Sequence, residues 1–195
     1  MEDMIYTPRI QKAINFAIKV HQQDQNQTRK GKTDPYIIHP LTVGLILAKT
    51  GAKENVIVAG ILHDTIEDCK PYGSVTKELL EKEFGNDVAE MVNDVTEQDK
   101  SLPWEERKRL ALEHVKHMQK DSILVKSADV LHNMTDQISD YGKEGDKMFL
   151  RFNAPKEKQL LRYTKLIHEL KEAWLENPLL IDLETSLKTL INDWK

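Results

Sequence analysis

His63, Asp64, Glu67 and Asp68 fall within six positions of one another in the stretch ILHDTIED, residues 61–68, directly after an apolar run that begins at Val56. On a regular helix, residues four apart share a face, which predicts His63 over Glu67 and Asp64 over Asp68. A second polar cluster interrupts another apolar run in SADVLHNM, where Asp129 and Asn133 are also four apart among Ala128, Leu131 and Met134. His39 follows PYII at the start of its own helical segment. A carboxylate set among core residues is costly unless a cation, a hydrogen-bond donor or a metal meets it. His39, His63, Asp64 and Asp129 therefore form a candidate ligand set. Two imidazoles and two carboxylates suit Mn²⁺, with Fe²⁺ or Zn²⁺ as alternatives. Such an ion would polarise a phosphoryl oxygen and lower the pKa of a bound water, which suits hydrolysis.

Each residue also has a plainer reading. His63 and Asp64 taken alone are equally a hydrogen-bonded pair on a helix face, and His39 is equally the residue before a helical proline. Glu67 and Asp68 near a helix end oppose the helix dipole, and that cost favours a functional reason for them. His21, one turn beyond Ala17 and Ile18, reads as a core or hydrogen-bonding residue. His132 faces away from the metal set, and His114, His117 and His168 read as surface residues.

The elements that must position these groups are helical. Thr7-Pro8 is a start signal, with Thr7 as cap and Pro8 at the first helical position. Ile10, Ala13, Ile14, Ala17 and Ile18 mark one apolar face. Gln22 to Asp34 reads as a loop. A second helix opens at His39-Pro40 and ends at Gly51, and a third runs from Glu54 to Asp68. Short helices follow over Thr76–Phe84 and Asp87–Thr96, then Trp104–His117, then a helix capped by Asp121. Gly142 and Gly145 predict a loop, Pro155 begins a long amphipathic segment, and a last helix follows Pro178. No strand alternation of useful length, repeat or low-complexity tract occurs. The expectation is one all-α domain over residues 1–195.

Composition narrows the function classes. Among 195 residues, 39% are hydrophobic and 31% charged, an ordinary folded balance. No apolar run approaches the ~20 residues a membrane span needs, and the first residues lack a secretory pattern. The single cysteine, Cys69, excludes an intrachain disulfide framework and fits a reducing, cytoplasmic setting. A net charge of −4 argues against a nucleic-acid partner, so an anionic ligand requires a local basic patch. Arg29, Lys30 and Lys32 lie within four positions and supply one.

The stretches RKGKTDPYIIHP, GILHDTIED, FGNDVAEMVNDVT, DKSLPWEERKR and LVKSADVLHNM occur in an order that resembles the HD-domain phosphohydrolases. Within them the chain is most similar to the (p)ppGpp hydrolase domain of RelA/SpoT enzymes and to the stand-alone small alarmone hydrolases. The likeness covers roughly residues 10–137 and implies an HD-domain helical bundle. It implies a Mn²⁺ ion on His39, His63, Asp64 and Asp129, with Glu67 and Asp68 as the acidic pair that positions or activates the attacking water. It places Asn133 near the ribose, Arg29 and Lys30 at the nucleotide, and Lys100 and Arg107 at phosphates. The implied reaction removes the 3′-pyrophosphate of (p)ppGpp and releases pyrophosphate. The rival readings are another nucleotide substrate (an adenosine alarmone, the 2′-phosphate of NADPH, a simple nucleotide) and a nucleotide-binding sensor or antitoxin-like protein without turnover. The chain departs from the family pattern in a longer Gln22–Thr28 approach to Arg29. It also carries Val130 where a basic residue is common, and Thr135-Asp136 in place of an Arg-containing stretch. Oligomeric state is not encoded in any of these features.

Overall fold

The computed structural model describes residues 6–97 and 101–195. The chain divides into two compact units, Met1–Gln98 and Asp99–Lys195. Among the described residues the regular structure is helical, apart from one isolated antiparallel bridge between Thr28 and Pro35.

The first unit contains α1 (Pro8–Ile18), α2 (Ile38–Lys49), α3 (Glu54–Leu62), α4 (Thr65–Asp68), α5 (Lys77–Phe84) and α6 (Asn86–Val95). Thr7 caps α1 as expected, its Oγ1 accepting from the N–H of Ile10 at 3.2 Å, and Pro8 occupies the first turn. Thr76 caps α5 in the same way through Leu79 N–H. The α3 sequence ENVIVAGIL is apolar nearly all round, as befits a helix packed on several sides. It lies against α1, α2 and α6. The core it organises includes Ala13, Ala17, Val43, Leu47, Val58, Ala59 and Leu62, all with no exposed surface. Helices α2 and α3 approach closely because Gly44 and Gly60 present no side chain. A Cβ added at Gly60 would meet Leu47 Cδ1 at 2.2 Å, and one at Gly44 would meet Ile61 Cγ1 at 2.6 Å. Gly51 ends α2 with φ +76°, the left-handed conformation that glycine adopts without penalty.

The second unit contains α7 (Trp104–His114), α8 (Lys120–Glu144), α9 (Lys156–Ala173) and α10 (Leu180–Asp193), with short 3₁₀ turns after α7 and α8. The long α8 buries Ile123, Val125, Ala128, Val130 and Met134, and packs against α10. Asn177 Nδ2 donates to Ser127 Oγ of α8 at 2.8 Å, and Arg151 Nη2 to Asp140 Oδ2 at 2.9 Å.

Four boundaries differ from the sequence reading. The expected loop from Gln22 starts later, because α1 continues through a π-helical turn at Lys19–Gln23, a form that absorbs extra residues inside a helix. Helix α8 begins at Lys120, with Gln119 at its N-cap position, so Asp121 lies in the first turn where the helix dipole favours it rather than at the cap. It then runs through Gly142 and stops at Gly145 (φ +58°), so only the second of that pair marks a break. The predicted single helix from Glu54 to Asp68 ends at Leu62 and resumes as the single turn α4.

The glycines give two opposed expectations for unfolding in urea. Gly60→Ala overpacks the α2–α3 contact and should destabilise by ~1–3 kcal/mol. Gly142→Ala meets no atom within 4 Å and should stabilise by ~0.5–1 kcal/mol, the ordinary gain in a helix interior. A destabilised Gly142→Ala would contradict the continuity of α8.

Candidate metal centre

The break after Leu62 has a local cause. His63 Nδ1 lies 2.8 Å from the carbonyl of Gly60, and Thr65 Oγ1 donates to the carbonyl of Leu62 at 2.7 Å. These side chains take acceptors that a continuing helix would give to main-chain N–H groups. Asp64 sits between the two helices with φ −95° and ψ −1°. The four-residue step from Asp64 to Asp68 persists, with Asp68 N–H donating to the Asp64 carbonyl at 2.9 Å. The neighbours His63 and Asp64 also turn toward the same point, with His63 Nε2 to Asp64 Oδ2 at 3.0 Å.

His39, from the first turn of α2, completes a group of three. Its Nε2 lies 3.1 Å from His63 Nε2 and 3.5 Å from Asp64 Oδ2. Both imidazoles are buried, and the Asp64 side chain is partly covered. Donors bound ~2.1 Å from a metal lie ~3.0 Å apart along an octahedral edge and ~3.4 Å apart along a tetrahedral one. The three separations, 3.0, 3.1 and 3.5 Å, fit such edges. The Gly60 carbonyl fixes the proton of His63 on Nδ1, which leaves the Nε2 lone pair aimed at the shared point. The residues present thus fit a divalent cation.

A surrounding layer steadies these donors. The Tyr36 hydroxyl donates to Asp64 Oδ2, and its ring lies edge-on to His39 with centroids 5.7 Å apart. Burial, and then the negative charges of Asp64 and Asp68, push the Tyr36 phenol well above its usual value, so it remains a donor. The Arg29 guanidinium lies over the same ring, 5.7 Å from its centroid, and Arg29 N–H bonds the Asp34 carbonyl at 2.8 Å. Lys30 is exposed and Lys32 half-buried on the same loop. One turn beyond the imidazoles, Asp68 Oδ2 accepts from Gln27 Nε2 at 3.0 Å, and Glu67 Oε2 accepts from Glu97 N–H at 3.3 Å.

The remaining candidates belong to the second unit. Asp129 of α8 is buried, with its Oδ1 accepting from Asn133 Nδ2 at 2.6 Å and its Oδ2 from Lys126 Nζ at 3.0 Å. The four-residue spacing thus joins Asp129 and Asn133 as expected. Arg107 is half-buried on α7, and Lys100 lies outside the described residues. His114, His117 and His168 are exposed, while His21 is fully buried. Tyr36 and Lys126 escaped the sequence reading. Lys126 stands three residues before Asp129 on α8, and that helical spacing was the available signal, whereas Tyr36 lies in the turn that precedes α2 and carried none.

A family model described as "HD domain" matches residues 13–154. The chain is 44% identical over 129 residues to guanosine-3′,5′-bis(diphosphate) 3′-pyrophosphohydrolase MESH1 of Xenopus tropicalis, covering 65% of this chain and 68% of the relative. It is 39% identical over 126 residues to the human protein of the same name, covering 64% and 66% respectively. The chain spans about two thirds of the length of these relatives. A solved structure of a metazoan SpoT ortholog, described as hydrolysing ppGpp, superposes with a TM-score of 0.74 at 26% identity over 96% of both chains. With a family match across most of its length and His39, His63 and Asp64 gathered at one point, the chain belongs to the HD domain family.

Proposed function

We propose that the protein hydrolyses the 3′-pyrophosphate of (p)ppGpp, giving GDP or GTP and pyrophosphate, and that its hydrolase domain comprises residues 1–195. The observation that carries this reading is the convergence of His39, His63 and Asp64. The names of the relatives favour (p)ppGpp over other nucleotides and turnover over binding alone. Asp129 supplies the fourth ligand in this reading, supported by its burial and by the donors that orient it. The ion is Mn²⁺ in the proposal, on the chemistry of mixed imidazole and carboxylate donors. When bound, it polarises a phosphoryl oxygen and acidifies a water.

The protein's own groups do the rest. Glu67 takes the proton of the attacking water, and Asp68 orients that water. As water adds to phosphorus, the bond to the ribose 3′-oxygen breaks and that oxygen takes up a proton. Arg29, already paired with the Tyr36 ring, stacks on the guanine or binds its phosphates. Lys30 and Lys32 raise the local concentration of the anion despite the net charge of −4. Asn133 lies near the ribose, and Arg107 and Lys100 meet phosphates. A single cysteine and the absence, among the described residues, of any helix long and apolar enough to cross a membrane support a cytoplasmic setting.

Purified protein supplied with Mn²⁺ should release pyrophosphate from ppGpp, and a chelator should abolish release. Glu67→Gln should retain the metal while kcat falls ~10²–10⁴-fold, the usual contribution of a general base. An unchanged kcat would remove Glu67 from that role. Arg29→Ala should raise KM for ppGpp about tenfold yet leave p-nitrophenyl phosphate hydrolysis within about twofold, since it removes nucleotide binding alone. Equal losses on both substrates would contradict the assignment.

A further inference from the structure

Asp68 is held from an unexpected direction. The segment between His21 and Arg29, which leaves the π-helical turn through a turn at Asp24–Gln25, comes back on α4 and presents two glutamine amides to it. Gln27 Nε2 donates to the Asp68 carboxylate at 3.0 Å. Gln25 Nε2 donates to the Asp68 main-chain carbonyl at 2.7 Å and to that of Val20 at 3.0 Å. The other end of the Gln27 amide, Oε1, lies 2.7 Å from His21 Nδ1. A carboxylate only accepts, so the amide must turn its NH₂ to Asp68 and its carbonyl to His21. His21 Nδ1 therefore carries the hydrogen. His21 Nε2 is buried with no partner among the described residues, which makes Gln27 the polar anchor of that ring. The backbone of Gln27 is fixed as well: its N–H bonds the His21 carbonyl at 2.8 Å, and its carbonyl accepts from Tyr36 N–H at 2.9 Å.

We propose that Gln27, locked by His21, is a positioning residue that fixes the direction of the Asp68 carboxylate; this rests on the reading that Asp68 orients the attacking water. Helix α4 has only four residues and does not hold its side chains rigidly by itself. A catalytic carboxylate must be kept within ~0.5 Å of its working geometry by neighbours whose own conformations are fixed. Gln27 is fixed at both ends of its side chain and both polar atoms of its backbone. The lengthened loop, which at first sight only separates His21 from Arg29, supplies this support.

The test is a double-mutant cycle in the Mn²⁺-loaded protein, with Gln27→Met, Asp68→Ala and the two combined, alongside circular dichroism to confirm folding. Gln27→Met should lower kcat for ppGpp about tenfold with KM within about twofold, the pattern of a lost orienting bond. In the Asp68→Ala background the same change should cost less than about twofold, because the group it acts through is gone. The Gln27 side-chain amide signals should differ between metal-free ¹⁵N-labelled wild type and metal-free ¹⁵N-labelled Asp68→Ala. Multiplicative kcat losses would overturn the positioning role, as would amide signals indifferent to Asp68. A wild type that releases no pyrophosphate from ppGpp would overturn the proposed function itself, and the role of Gln27 with it.

Discussion

Bringing two imidazoles and a carboxylate within 3.5 Å of one another inside a helical unit is the constraint on which this protein's local structure turns. Without a cation, two neutral imidazoles can share one hydrogen between their Nε2 atoms, but then one of them loses its bond to the carboxylate. A divalent ion satisfies all three lone pairs together, and its charge offsets the desolvation of Asp64. The features around the group act in the same direction: the Gly60 carbonyl sets the His63 tautomer, and Tyr36 remains a neutral donor to Asp64.

That convergence depends on backbone approach as much as on polar chemistry. His39 stands at the start of α2 and His63 just after the end of α3. The two helices must pack closely for the imidazoles to meet, and Gly44 and Gly60 allow it. Gly60 serves twice, since the residue whose missing side chain admits Leu47 also offers its carbonyl to His63. Packing and chemistry are thus coupled at one position, and a substitution there disturbs both.

The helical class, the cap at Thr7 and the pairing of Asp129 with Asn133 were legible in the sequence, because each rests on short-range rules of periodicity and side-chain reach. The break at His63–Asp64 was not. It arises when side chains of His63 and Thr65 capture helix carbonyls, and a period of 3.6 residues does not record that competition. The approach of His63 to Asp64 was not part of the four-residue pairing either: the two adjacent residues meet in the break between α3 and α4. Gly142 misled in the opposite way, as a glycine inside a helix that needs no turn. The longer Gln22–Thr28 stretch was visible as a departure from the family. Its hold on Asp68 was not, because that depends on where a π-helical turn returns the chain.

The central claim is that His39, His63 and Asp64 hold a divalent metal. It is tested most directly by measuring bound metal by mass spectrometry after dialysis against Mn²⁺, in wild type and in His63→Ala with folding checked by circular dichroism. The account predicts about one ion per wild-type chain and loss of nearly all of it in the folded variant, since a lost ligand and its orientation cannot be replaced from the surroundings. Equal metal in the two proteins, or none in the wild type, would contradict it.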